Sequence, residues 1–120
     1  MPAVRISNGR SGAELGRQVI IADGWWSRTV GLLGRSALPE GEGILLSPCG
    51  SIHTVGLRFP IDVAFLDALG RIVASRHAVA PGRLAFGGES AEATLELPAG
   101  TLAATDTHDG DVLIVEEVRA

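Results

Sequence analysis

The apolar residues of this chain come in short runs divided by short turn-forming segments, and this spacing constrains the fold more than any other feature. Val4 to Ile6, Gln18 to Ala22, Gly43 to Ser47, Ile61 to Leu66, Arg71 to Val79, Ala93 to Leu97 and Val112 to Val118 all read as strands. Ile61, Val63 and Phe65 share one face of their run. In the Ala93 to Leu97 run, Leu95 and Leu97 are expected inward, and Thr94 and Glu96 outward. Asp67-Ala-Leu-Gly70 is hairpin chemistry, with Gly70 free to take a positive φ. Pro39 to Gly43, the polar stretch Pro48 to Phe59, and Pro81 to Gly88 read as turns or irregular loops. Most connections are too short for parallel crossovers, so a mainly antiparallel sheet is expected. Such a sheet tends to close on itself to hide its edges.

One segment has the helical period instead. Trp26, Val30 and Leu33 fall on one face between Trp25 and Gly34, with Asp23 placed to cap the start and Gly34 to stop the end. Pro98 to Thr107 is long enough for one further helical turn. The expectation is one α+β domain over residues 1–120. It has a small barrel-like sheet of six or seven short strands, with one or two short helices and the Trp25 helix over one opening.

Composition narrows the function classes. The chain has 120 residues, 46% of them apolar, with three Phe, two Trp and no Tyr, so its core must be aliphatic. A single cysteine excludes an internal disulfide and a four-cysteine zinc site. Neither a leader-like apolar core at the N-terminus nor a membrane-length apolar stretch occurs, so a cytoplasmic location is expected. All ten basic residues are Arg, a pattern of GC-rich bacterial genomes. The net charge of −4 lacks the basic footprint of a nucleic-acid binder, so neither a nucleic-acid nor a membrane partner is expected. The charge is unevenly placed: residues 24–83 hold six Arg against four acids, and residues 84–120 hold one Arg against eight.

The chemistry-bearing residues concentrate in one place. Cys49, His53, Arg58 and Asp62 lie close together in sequence, with Ser51 and Thr54 between them. Thiol, imidazole and carboxylate are the parts of an activated nucleophile, and Cys49 and His53 are also transition-metal ligand types. Positions 49 and 53 share a face in either a helix or a strand. Each residue also has a structural reading. Cys49 can be a small buried hydrophobe. His53 can cap a loop, and Asp62 can form a buried ion pair with Arg58 or His53. Three or four ligands complete a zinc site, and nothing in the sequence places His77, Asp67 or His108 nearby. Arg28 and Arg35, seven apart, can share a helix face that holds an anion or simply meets solvent. Trp25 and Trp26 read as one core and one surface side chain. Gly87-Gly88 lacks the flanking pattern of a phosphate loop and reads as a turn.

Several of these segments, in this order, resemble the family known as domain of unknown function 192. Trp26-Ser-Arg-Thr-Val-Gly-Leu-Leu-Gly-Arg35 is similar to its helix, and Gly43-Ile-Leu-Leu to the strand that follows. Ser51-Ile-His-Thr-Val-Gly-Leu-Arg-Phe-Pro-Ile-Asp-Val-Ala-Phe-Leu-Asp67 resembles its most distinctive segment. Gly70-Arg-Ile-Val73, Leu95-Glu-Leu-Pro-Ala-Gly100 and Gly110-Asp111 complete the pattern. The family usually has a glycine a few residues before the Gly-Asp pair, where this chain has Asp106. Residues 100–111 also look similar to the short helix and Gly-Asp element of cradle-loop barrels. The resemblance implies a small stand-alone domain and brings no activity, cofactor or catalytic residue.

Two functional expectations follow. The first is a non-enzymatic binding or interaction domain that meets a small ligand or a protein at a rim formed by residues 48–62 and the 81–88 loop, with Ser51, Thr54 and Arg58 as contacts. The second is a small metal-dependent or Cys/His-based hydrolase-like enzyme using Cys49, His53 and Asp62. No cofactor is expected in the first.

Overall fold

The computed structural model describes residues 3–22, 32 and 34–118. Nine strands and one short helix appear among them: β1 (Ala3–Asn8), β2 (Glu14–Ala22), β3 (Glu42–Leu46), β4 (Ser51–His53), β5 (Ile61–Leu66), β6 (Ile72–Val79), β7 (Leu84–Phe86), β8 (Ala93–Pro98), α1 (Thr101–Ala104) and β9 (Leu113–Glu117). Seven strands form one sheet in the order β6-β5-β8-β3-β2-β1-β9, and β4 and β7 form a second. The architecture is thus mostly β, with a single helical turn among the described residues where Pro98 to Thr107 left room for one. The helix expected from Trp25 to Gly34, with its cap Asp23 and its residues Trp25, Trp26 and Arg28, lies outside the described residues apart from Leu32 and Gly34. No helix among the described residues is long and apolar enough to cross a membrane.

The mainly antiparallel sheet holds with one exception, and two expectations are corrected. All neighbours in the large sheet are antiparallel except β2 and β3, which run parallel from Gln18↔Glu42 to Ala22↔Leu46. The long connection between these two strands is the one that can reverse direction twice, as a parallel pair requires. β2 also begins earlier than its apolar run, at Glu14. Gly16 and Arg17 interrupt the alternation there because the chain is irregular, with the Arg17 and Gln18 N–H groups both donating to the Gly41 carbonyl at 2.9 Å. Finally, residues 51–53 and 84–86, read as irregular, are strands paired with each other from Ser51↔Phe86 to His53↔Leu84. Three-residue strands carry too little periodicity to be read from sequence, and their partner lies about thirty residues away along the chain.

The large sheet curls into a half-barrel. Its edge strands meet at one corner, where Arg71 and Val112 form a bridge. The Ile72 N–H donates to the Asp111 carbonyl and the Leu113 N–H to the Gly70 carbonyl, each at 2.9 Å. Both faces of the sheet are covered. The inner face buries Val4, Ile6, Val19, Leu95, Leu97 and Leu102. The outer face buries Ile44, Leu46, Ile61, Val63 and Phe65. Ile52 and Ala85 from the small sheet pack on this outer face. Gly87 lets the chain leave β7 against Phe65, since a Cβ there would come within 2.6 Å of the Phe65 ring and of Ala91.

A polar cluster ties the corner together. The Asn8 amide donates to Thr107 Oγ1 (3.2 Å) and Asp111 Oδ2 (2.9 Å), and Arg10 Nε donates to Asp111 Oδ1 at 2.8 Å. α1 ends in a turn at Asp106, where the family usually has a glycine. Thr107 N–H bonds back to Leu102 O (2.9 Å) and Asp106 N–H to Ala103 O (3.2 Å), the Schellman pattern. That pattern needs a left-handed residue at position 106, and Asp106 supplies it at φ 51°. Asp tolerates this region better than most residues, so it stands where the family has glycine.

Candidate functional site

β5 runs through the middle of the sheet, and its alternation sends Asp62 to the inner face with Ala64 and Leu66. Asp62 is fully buried. Its partners are not Arg58 or His53 but main-chain groups. Oδ1 accepts the Ala78 N–H at 2.8 Å, and Oδ2 accepts those of Gly100 (3.1 Å) and Leu102 (2.9 Å). The Ala78 donor is free because the β5–β6 register slips between Ile61↔Val79 and Val63↔Arg76, with Ala78 left-handed in the bulge. The other two donors are among the first N–H groups of α1, which no helical carbonyl can satisfy. Asp62 is therefore a peg joining a strand, a bulge and a helix start. The expected ion pair is replaced by backbone because Arg58 is exposed and has no ion-pair partner among the described residues.

The remaining members of the cluster lie on the other side of the sheet. Cys49 is partly buried beside the outer core, with its Sγ donating to the Ser51 carbonyl at 3.1 Å. Thr54 is buried and structural. Its Oγ1 donates to Ala80 O (2.7 Å) and accepts the Arg83 N–H (2.8 Å), which fastens the end of β4 to the loop before β7. Ser51 and His53 are exposed on β4. No hydrogen bond joins Cys49, His53 and Asp62, and Asp62 occupies the opposite face from the other two. The extra ligand candidates are scattered. His77 is exposed on β6. Asp67 Oδ1 accepts the Leu69 (2.9 Å) and Arg71 (3.0 Å) N–H groups within the hairpin. His108 Nε2 lies 2.6 Å from Asp106 Oδ1. Among the described residues no group of three or more His, Cys, Asp or Glu side chains is arranged to hold a metal. Arg35 pairs with Glu42 at 3.5 Å.

What the structure does join is the two loops of the expected rim. Pairing of β4 with β7 turns Ile52 and Ala85 toward the core. It leaves Ser51, His53, Leu84 and Phe86 on the opposite, outward face. Leu84 is 69% and Phe86 63% exposed, and Val55 just beyond β4 is 57% exposed. Large apolar side chains clustered in the open are informative, since single ones are ordinary. The two rim segments are positively biased: residues 47–60 and 80–88 contain Arg58, Arg83 and His53 and no Asp or Glu, while Glu89 and Glu92 follow in the turn whose Glu92 carbonyl accepts the Cys49 N–H at 2.8 Å.

One group escaped the sequence reading. Thr94 and Glu96 were expected to face solvent, yet both are buried, Glu96 with 5% exposure. β8 is a central strand covered on both faces, so its alternation separates two cores rather than core from water. Glu96 lies across from Ile44 on one side and Val63 on the other. Burial pushes its carboxyl from 4.5 up to about 7. Thr94, next on that face, donates to the Cys49 carbonyl at 2.9 Å. A cleft of about 410 Å³ opens elsewhere, between the start of β2 and α1, with Arg17, Glu14 and Glu40 at its polar lining. It contains none of the expected site residues, and Asp62 already takes the Gly100 and Leu102 N–H groups beside it.

The polar corner has the most perturbed charges. Asp111 is held well below the usual carboxylate range by the Arg10 hydrogen bond, assisted by the Asn8 amide and the His108 N–H. Asp106 is lowered by His108 first and then by Arg10, which also donates to its carbonyl. Arg10 is raised in turn, chiefly by Asp111. These groups satisfy one another and are a latch rather than an open site.

A family profile described as Uncharacterized ACR, the domain of unknown function 192, matches residues 6–115. No curated protein matches the sequence. Two crystal structures are similar. One is a protein of unknown function from Novosphingobium aromaticivorans DSM 12444. It has a TM-score of 0.81 and 20% identity, covering 93% of this chain and 83% of that one. The other is a candidate transcription regulator from Sinorhizobium meliloti 1021. It has a TM-score of 0.82 and 23% identity, covering 95% and 92%. At these identities the likeness speaks to the fold alone.

Proposed function

The chain belongs to the domain of unknown function 192 family, which comes with no activity, and from that premise we propose that it is a non-enzymatic binding domain whose contact surface is the outward face of the β4–β7 sheet. The observation that carries this reading is the pair Leu84 and Phe86. Both are exposed on a strand whose intervening residue, Ala85, anchors it to the core. A partner that covers them gains the burial of two large apolar side chains. The cations of the two rim segments, Arg58 and Arg83, select its charge. The partner is a protein segment presenting apolar side chains beside carboxylates, which excludes the phosphate backbone less by charge than by the apolar centre. Arg58 and Ser51 stand at the rim as contacts, whereas Thr54 supports the loop from beneath. A single cysteine and an aliphatic core suit a reducing compartment, and the bacterial cytoplasm is the location this reading implies.

The hydrolase alternative asks for Cys49, His53 and Asp62 in one place. Asp62 is committed to three backbone donors on the opposite face of the sheet, so no observation favours that reading.

The test is a fluorescein-labelled peptide of alternating Glu and Leu or Phe, titrated into the protein and compared with its Lys counterpart. The acidic peptide is expected to bind more tightly, with affinity falling as salt rises. Phe86→Ser together with Leu84→Ser should remove this binding while leaving the thermal midpoint within a few degrees. Equal binding of both peptides, or binding that survives the double substitution, would sink the proposal.

A further inference from the structure

The two edges of the large sheet are built differently. β6 is protected: it carries the Ala78 bulge, Arg76 and His77 are exposed on it, and its first residues are covered by the 109–111 segment. β9 has no bulge: Gly70 and Arg71 cover only its start, and beyond it Glu116 and Glu117 are exposed. It pairs with β1 in straight register from Val4↔Glu117 to Asn8↔Leu113. Ile114, Val115 and Val118 are all more than two-fifths exposed.

Hydrogen-bond alternation identifies which main-chain groups are open. Gly9 N–H donates to Val112 O (2.8 Å) and Val118 N–H to Ala3 O (3.4 Å), so even-numbered residues of this stretch face β1. Leu113, Val115 and Glu117 therefore point the other way. The Leu113 N–H is used by Gly70 O at 2.9 Å. Val115 and Glu117 present donor and acceptor with no main-chain partner among the described residues.

We propose that the free edge of β9 is a strand-addition site for an extended peptide segment in which basic residues alternate with apolar ones. Charge selects that occupant. Glu116 and Glu117 sit exposed on the edge strand, which carries no basic residue of its own. Arg5, across from Glu116 on β1, is engaged with Glu14 at 3.5 Å. A second copy of the chain is disfavoured by the same residues. Antiparallel self-pairing that uses both Val115 and Glu117 sets Glu116 directly opposite Glu116 of the other copy. That is the close, non-hydrogen-bonded kind of pair, where like charges repel. This site is distinct from the β4–β7 face and prefers the opposite charge in its ligand.

The experiment is a titration of ¹⁵N-labelled protein with the capped hexapeptide Lys-Val-Lys-Val-Lys-Val and with its Glu-Val counterpart. The Val115 and Glu117 amides should shift and gain exchange protection with the Lys peptide, which should bind roughly tenfold more tightly than the Glu peptide. Val115→Pro removes the outward N–H without touching the pairing to β1, and should abolish the effect. Phe86→Ser should leave it intact, which separates this test from that of the β4–β7 face. If Val115→Pro does not fold, Glu116→Lys with Glu117→Lys should reverse the peptide preference. Shifts absent from β9, equal response to both peptides, or a preference that survives the charge reversal would overturn the proposal.

Discussion

Two carboxyl groups are buried among apolar side chains, Asp62 and Glu96, and they are held differently. Asp62 receives three backbone donors. Glu96 is flanked by Ile44 and Val63, and among the described residues no side chain hydrogen-bonds it, so burial favours its protonated form. A raised folded-state pKa means that the native chain holds a proton that the unfolded chain has already lost. Its contribution is therefore fully present below about pH 4.5 and declines as pH rises toward 7 and beyond. The linkage is on the order of 3 kcal/mol over that window. Urea unfolding at pH 5 and pH 8 should show the loss in the native protein. Glu96→Gln, which cannot ionise, should lose less than about 1 kcal/mol over the same interval. Equal losses in both proteins would mean that another group titrates.

At the scale of elements, Asp62 does the joining. It lies in β5 and reaches a bulge in β6 and the first turn of α1, three pieces that share no continuous ladder at that point. Asp62→Ala removes the acceptor of three N–H groups at once, that of buried Leu102 and the part-buried ones of Ala78 and Gly100. It should destabilise the protein by roughly 3–5 kcal/mol, measured by urea unfolding. The Ala78, Gly100 and Leu102 amides should lose exchange protection before the rest of the sheet. A loss below 1 kcal/mol, or protection that falls uniformly, would contradict the peg role. The same scale explains the small sheet. β4 and β7 are too short to be stable alone. They are held by Ile52 and Ala85 on the core and by Thr54 at the adjoining loop. That anchoring leaves the opposite face, with Phe86 and Leu84, exposed.

The half-barrel as a whole is closed at one corner by the latch of Asn8, Arg10, Thr107 and Asp111. It binds the end of β1 to the segment that leads from α1 into β9. Asp111 has a depressed pKa, so its contribution is in place above the ordinary carboxylate value of about 3.9 and is lost as pH falls below it. Arg10→Ala removes the largest cause of that depression. The variant should be less stable at neutral pH, and its thermal midpoint should fall less than the native protein's between pH 7 and pH 3. An undiminished acid-induced drop in Arg10→Ala would assign the acid sensitivity elsewhere.

Local alternation and turn chemistry sufficed for β5, the hairpin at Asp67 to Gly70, β6, β8 and the last strand, because each carries its periodicity or its turn residue within a few positions. Tertiary structure decided the rest. The pairing of β4 with β7, the parallel partnership of β2 and β3, and the Asp62 backbone contacts all depend on residues far apart in sequence. The Thr94 and Glu96 alternation is the plainest case. A strand's period of two reports which residues share a face, but whether that face meets water or a second core is set by the elements stacked upon it.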